Sequence, residues 1–223
     1  MRDVLELAGV RKRFGDKTVL RDISLRIAPG TFTLVAGANG SGKSTLLRLM
    51  AGLLRPDAGA IISRVAEGKT GLLAHQTMLY PELTALENLD FWRSLNSVPA
   101  HAASLEALLD RMGLRAHARE KAGTFSRGMA QRLSLARVLL AEPDLLLLDE
   151  PGTGLDAAST DLLRAEAMAA RDRGAALVWV SHALETDLAL ADSAILLEKG
   201  RLAFDGPAAA FSVPEPPRGK GNA

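Results

Sequence analysis

An α/β fold built on a parallel sheet is what this sequence predicts, and three stretches predict it. Thr31-Phe-Thr-Leu-Val-Ala36 is a short apolar, β-branched run that leads into Gly37-Ala-Asn-Gly-Ser-Gly-Lys-Ser-Thr45. Apolar residues at helical spacing follow directly, through Leu46, Leu47, Leu49 and Met50, and stop at Gly52. Further on, Leu145 to Leu148 are four leucines without alternation, the pattern of a strand buried on both faces of a parallel sheet. Ala175 to Val180 is a second such run.

With 223 residues, the chain suits one α/β domain carrying an insertion, or two small lobes, and can bury a substantial core. A hydrophobic fraction of 48% and a charged fraction of 24% are those of an ordinary globular protein. The 27 basic residues nearly balance 26 acidic ones, so the net charge of +1 argues for neither a nucleic acid nor an anionic membrane as electrostatic partner. Cysteine is absent, which excludes disulfides, thiolate metal sites and cysteine nucleophiles. No apolar run approaches the roughly 18 residues of a membrane span. The N-terminal Met-Arg-Asp-Val-Leu-Glu-Leu has acidic residues where a signal peptide is apolar, so a cytoplasmic location is expected.

Taken in order, Val4 to Leu7, Ser24 to Ile27 and Thr31 to Ala36 read as strands, separated by turn signals at Phe14-Gly-Asp16 and Pro29-Gly30. Residues 53–75 read as a Pro/Gly turn and two short strands. From Glu82 to about Leu140 the pattern is helical, which predicts an inserted helical block. The α/β core resumes at Asp144, and a helix follows with Asp156 as its N-cap and Gly174 beyond its end. The strand to Val180, Ser181-His182, a short helix and strands at Ala194–Leu197 and Leu202–Phe204 complete it. The expected organisation is one domain over residues 1–206, with core segments 1–75 and 141–206 around a helical insertion at 76–140. A loose Pro/Gly-rich tail at 207–223 follows.

Chemistry concentrates in the first glycine loop. Gly37, Gly42, Lys43 and Ser44 satisfy G-x-x-x-x-G-K-[ST] between a strand and a helix, the context a phosphate-binding P-loop needs. Glycines, with the extra Gly40, let backbone N–H groups approach phosphate oxygens without a Cβ in the way. The helix start contributes about half a positive charge, Lys43 a full one, and Ser44 a hydroxyl for Mg²⁺. Ala38, Asn39, Ser41 and Thr45 complete the loop. Asp149 and Glu150 end the leucine strand, where ligands of parallel sheets bind. Asp149 is the expected magnesium partner, and Glu150 the group that orients or deprotonates an attacking water.

Three residues are ambiguous on their own. Phe14 is either core or a platform for a purine. Gln76 is a surface glutamine or a phosphate and metal sensor. His182, at a third strand end, is structural or a hydrogen-bond partner of the γ-phosphate. In Thr124-Phe-Ser-Arg-Gly-Met-Ala-Gln-Arg-Leu, Ser126 is the expected N-cap, leaving the N–H groups of Arg127, Gly128 and Met129 for an anion. A second anion-binding helix start makes sense if it serves a nucleotide held by another subunit.

These stretches together resemble the ATP-binding cassette ATPases, in family order and over nearly the whole chain, from Val4 to about Gly206. The resemblance implies a RecA-like P-loop NTPase core with an N-terminal antiparallel β-subdomain and an inserted α-helical subdomain. GANGSGKST stands as Walker A, Gln76 as the Q-loop residue and metal partner, and Phe125-Ser-Arg-Gly-Met129 as the signature. LLLLDE ending at Glu150 stands as Walker B, Gly154-Leu-Asp156 as the D-loop and His182 as the switch histidine. By the same resemblance Phe14 stacks on adenine, Glu150, His182 and Lys43 are catalytic, and ATP and Mg²⁺ are the cofactors. Arg127 and Met129 depart from the commoner LSGGQ signature, and Ala38 replaces the usual proline.

The resemblance further implies a head-to-tail homodimer, each signature covering the other chain's ATP, and a separate membrane permease. It places the chain peripherally on the cytoplasmic side of the inner membrane. The strings LLRLMAGLLRPDAG, HQTMLYPELTALENL and FSRGMAQRLSLARVLL are similar to those of the haem exporter ATPases of cytochrome c maturation, the CcmA type, which makes haem export the expected cargo function. Exporters of lipids, drugs or ions, and soluble ATPases of Fe–S cofactor assembly, are the alternatives.

Overall fold

The structure, a computed structural model, describes residues 2–74, 76–99, 102–181 and 183–213. Strands β1 (Leu5–Phe14) and β2 (Lys17–Ile27) form a long antiparallel hairpin, and β4 (Ala58–Ser63) pairs with the other edge of β1. The hairpin is longer than the two short strands expected there, because residues 8–13 and 17–23 stay paired through register shifts. The expected Gly15-Asp16 turn closes it, with Gly15 at φ 56°.

A second sheet holds six strands in the order β5-β6-β7-β3-β8-β9. These are β3 (Phe32–Ala36), β5 (Thr70–Leu73), β6 (Leu145–Asp149), β7 (Ala176–Val180), β8 (Ser193–Glu198) and β9 (Arg201–Pro207). All neighbours are parallel except β8 and β9. The leucine run of β6 behaves as its lack of alternation predicts: Leu145 and Leu147 enter one core, Leu146 and Leu148 the other. All four are fully buried, about 1.5–3 kcal/mol of transfer free energy per side chain as an upper estimate.

The first core lies between this sheet and the hairpin, with α1 (Lys43–Met50) contributing Leu46, Leu47, Leu49 and Met50. The second core covers the other face with α2 (Ala85–Leu95), α3 (Ala102–Arg111), α4 (Arg127–Leu139) and α5 (Ala157–Asp172). Leu133, Leu135 and Ala136 of α4 share that core with Leu34, Leu73 and Leu148 of the sheet. The helical stretch is therefore continuous with the sheet's core through its last helix. A short α6 (Leu184–Leu188) precedes β8. Of the tail expected to be loose from residue 207, the described part is packed. Pro207 still pairs with Ser193, and buried Phe211 meets Phe204 at 5.3 Å between ring centroids.

Candidate nucleotide site

Three neighbouring parallel strands bring the site together. Val35 of β3 pairs with Val180 of β7, which pairs with Asp149 of β6, so the glycine loop and the acidic pair leave the sheet at one edge. Gly37 approaches β8 so closely that a Cβ would lie 2.3 Å from the Leu197 carbonyl oxygen, and its φ is 144°. Gly42, at φ 112°, is the N-cap of α1 and makes no side-chain cap. A Cβ on it would meet Leu20 at 2.8 Å. Both glycines are required by the turn.

Lys43 is 6% exposed, and its Nζ donates to the carbonyls of Gly37 at 2.8 Å and Ala38 at 3.2 Å. Burial lowers its pKa, and the charges of Glu150 and Asp149 oppose that shift. Asp149 is equally enclosed, and its Oδ1 has no hydrogen-bond partner among the described residues. Burial raises its pKa, the Ser44 hydroxyl beside it pulls the other way, and neighbouring Glu150 adds to the rise. Each charge thus sits where its ionised form is disfavoured without a counter-ion. An orphaned carboxylate oxygen beside a serine hydroxyl fits Mg²⁺, and a cradle that a Cβ would fill fits phosphate.

Asn39, Gly40, Gly42, Lys43, Ser44, Thr45 and Glu150 line a cavity of about 440 Å³. Its remaining wall is Lys17 and Val19 of β2, which sequence reasoning did not single out. Ser41 is buried in the turn, and its Oγ has no hydrogen-bond partner among the described residues. Phe14 ends β1 half exposed, outside that lining, with Lys12 Nζ 5.5 Å from its ring centroid. Glu150 has φ 51°, unfavourable for a side chain with a Cβ, and its N–H donates to the Val180 carbonyl at 3.0 Å.

Helix α4 organises the remaining groups from one face. Ser134 Oγ donates to the Thr77 carbonyl at 2.8 Å, next to Gln76, and Gln131 Nε2 donates to the Pro151 carbonyl at 3.1 Å, next to Glu150. A cavity of about 410 Å³ joins Gln76, Arg127, Gln131 and Glu150. Residues 127, 131 and 134 recur at helical spacing, the signal that could have revealed this polar face. Asn88, also missed, is fully buried and fixes the turn before α2 by accepting from Tyr80 N at 2.8 Å and donating to Tyr80 O at 3.0 Å.

Ser126 caps α4 as expected, but its Oγ accepts from Met129 N at 3.2 Å. Met129's N–H is therefore engaged, a correction to the expectation that Arg127, Gly128 and Met129 all leave theirs open. The Arg127 side chain lies over Gly154, where a Cβ would meet Nη1 at 2.7 Å. Gly128 faces α5, 3.3 Å from Ser159 Oγ measured from an ideal Cβ. Asp156 caps α5, accepting from Ser159 N at 2.7 Å. His182 lies outside the described residues. Its neighbours are tied together: Ser181 Oγ bonds the Asp187 carboxylate and accepts from Ala183 N at 2.9 Å.

A larger cavity of about 720 Å³ lies elsewhere, against α3 and the end of α4, and includes none of the residues the motifs predict.

Fold and site define a P-loop nucleotide-binding protein, in which a glycine cradle, a buried lysine and a strand-end carboxylate face one another. Comparison with known proteins places it more finely. The family profile described as ABC transporter matches residues 20–153, and the chain belongs to that family as an ATP-binding subunit. It is similar to the ABC transporter ATP-binding protein NatA of Bacillus subtilis (strain 168), 35% identical over 219 residues, 91% of this chain and 89% of that protein. It is also similar to the aliphatic sulfonates import ATP-binding protein SsuB 1 of Burkholderia lata, 40% identical over 210 residues. That match takes in 92% of this chain but only 64% of the relative. A solved structure of an ATP-binding subunit of an ABC transporter superposes with a TM-score of 0.84 at 27% identity, covering 92% of this chain and 90% of that one. A nucleotide-free ATP-binding cassette superposes with a TM-score of 0.77 at 24% identity, a likeness of fold.

Proposed function

We propose that this chain binds and hydrolyses Mg-ATP to drive transport through a separate membrane permease, acting as a head-to-tail dimer on the cytoplasmic side of the membrane. One observation carries the reading. Lys43, lining the glycine cradle, and Asp149, beside Ser44 of the same cradle, are buried charges of opposite sign, each with its ionised form disfavoured. A magnesium nucleotide would compensate both.

In that reading the N–H groups of Gly40 and of Gly42 to Thr45, with the Lys43 ammonium, hold the β- and γ-phosphates, the Ser41 N–H being taken by the Ala38 carbonyl at 3.1 Å. Ser44 and Asp149 hold the magnesium, with Gln76 reaching it from the cavity shared with Glu150. Magnesium supplies charge neutralisation at the phosphates. Glu150 lines the cradle and takes the proton of the attacking water at its carboxylate, and His182 contacts the γ-phosphate. Phe14 stacks on adenine. Ser126, Arg127, Gly128 and Asp156 of one chain close the other chain's site through the open N–H groups of α4 and the loop before α5.

The permease sits beside Gln76 in this reading. Met78, Tyr80, Phe91 and Leu95 are exposed, and Tyr80, Phe91 and Trp92 form one aromatic cluster with Tyr80 and Phe91 at 4.6 Å. Substrate contacts belong to the permease, so no residue here reads the cargo. The expectation of haem export rests on string similarity alone. The relatives named above carry a sulfonate-import name and a NatA name, so the proposal stays at the level of a permease-coupled ATPase. Affinity capture of the tagged chain from solubilised membranes should recover an integral membrane protein. Tyr80→Glu with Phe91→Glu should lose it while ATPase activity in solution persists. Capture of soluble scaffold proteins alone would favour cofactor assembly and contradict the proposal.

A further inference from the structure

The near-neutral net charge conceals a local concentration of cations that shares no lining residue with the P-loop cavity. On β1, Arg11 and Arg13 are two residues apart and share the outer face of the sheet, while Val10 and Lys12 turn inward. Across the hairpin Thr18 pairs with Arg13, and Arg21 extends the same surface. The turn between β8 and β9 closes one end: Arg21 N donates to Gly200 O at 2.7 Å, which brings Arg201 alongside. Together with Asp22 these residues line a groove of about 540 Å³.

None of the four arginines has a salt bridge or a side-chain hydrogen bond among the described residues. Arg26, Arg64, Arg111, Arg164 and Arg171 all have carboxylate partners. Asp57 accepts from the Arg13 backbone N–H at 2.6 Å and from Lys12 Nζ at 3.1 Å, and both bonds hold its carboxyl below the ordinary range, while the Arg13 guanidinium makes no ion pair with it. Asp22 is the one acid in the lining, and it sits at φ 63° beside Gly9. Four like charges around one concavity repel one another, and solubility does not require them in a chain so evenly balanced. Guanidinium forks match phosphate oxygens in pairs, and several converging on one space match several phosphates.

We infer that this groove is a second anion site, distinct from the glycine loop, that binds a small soluble polyphosphate of about three phosphates. The charges of Arg11, Arg13, Arg21 and Arg201, less that of Asp22, complement such a ligand. Its concave, molecule-sized shape favours a soluble anion over a flat lipid surface. An occupant would also bridge β2 to the β8–β9 turn, two segments joined here through Arg21 and Gly200.

The test is calorimetric titration of inorganic tripolyphosphate into the full chain carrying Lys43→Ala, which disables the glycine loop. Saturable one-to-one binding is expected, weakening at least tenfold in Arg11→Gln with Arg21→Gln and again in Arg13→Gln with Arg201→Gln. It should also weaken steeply with added salt. The arginines are exposed, and unchanged thermal melting without ligand confirms that these variants fold. Absence of binding in the Lys43→Ala chain, or binding indifferent to both arginine pairs, overturns the inference. So does an effect of the arginines confined to adsorption on phosphatidylglycerol vesicles, which would make the groove a membrane surface.

Discussion

The two helix starts proposed to meet the nucleotide are built in opposite ways. At α1 the N-cap is Gly42 in a left-handed conformation, no side chain satisfies the first N–H groups, and the adjacent lysine is buried. At α4 the N-cap is Ser126, exposed, with its own hydroxyl taking the Met129 N–H. An uncapped helix start lining a cavity leaves donors free for water or, in its place, an anionic ligand. A capped and exposed one is stable alone and has capacity to spare. Under the proposed function, that difference suits α1 to the main grip on the triphosphate and α4 to covering it.

The contrast is broken most easily at α1. Lys43→Ala removes a full charge and its charge-assisted bonds to phosphate, and should weaken ATP binding at least about a hundredfold by fluorescent-nucleotide titration. Binding within a few-fold of the parent would remove the α1 assignment.

A smaller effect, opposite in sign for the empty protein, is expected at Asp149. Burial raises its pKa above the unfolded value, so the ionised carboxylate destabilises the ligand-free fold above that raised value. The penalty fades as the pH falls through it towards the ordinary carboxylate range. Asp149→Asn should therefore raise the ligand-free Tm at pH 7, by about 2–4 °C for each kcal/mol recovered. The gain should shrink in acid, and the Tm rise induced by Mg-ATP should largely disappear. A lower ligand-free Tm in the variant would show that the carboxylate already has its counter-charge.

Much of this was legible in the residues, for physical reasons that differ by region. The leucines of β6 and the glycines of the P-loop could be read because burial on two faces and a Cβ-free turn admit few other residues. Asp156 and Ser126 were legible as caps because short oxygen side chains are what a helix start selects. Lys17 and Val19 escaped notice because they reach the cradle only through the packing of the hairpin on the sheet, a contact between distant parts of the chain. Gln131 and Ser134 looked like ordinary polar residues of a helix; their carbonyl partners at Pro151 and Thr77 come from segments 20 and 57 residues away. The arginine groove was hidden by averaging, since a net charge of +1 says nothing about where the charges lie.

In the proposed dimer a nucleotide held at α1 of one chain is covered by α4 of another. Sedimentation of Glu150→Gln, alone and with Ser126→Asp added, tests it most directly. Aspartate caps a helix as well as serine does, so the fold is retained while a negative charge enters the proposed phosphate contact. The account predicts that Glu150→Gln retains ATP and forms a dimer with Mg-ATP. Addition of Ser126→Asp should prevent that dimer while each chain still binds nucleotide through Lys43. Equal dimerisation of the two variants, or a Glu150→Gln chain that stays monomeric with Mg-ATP, would contradict it.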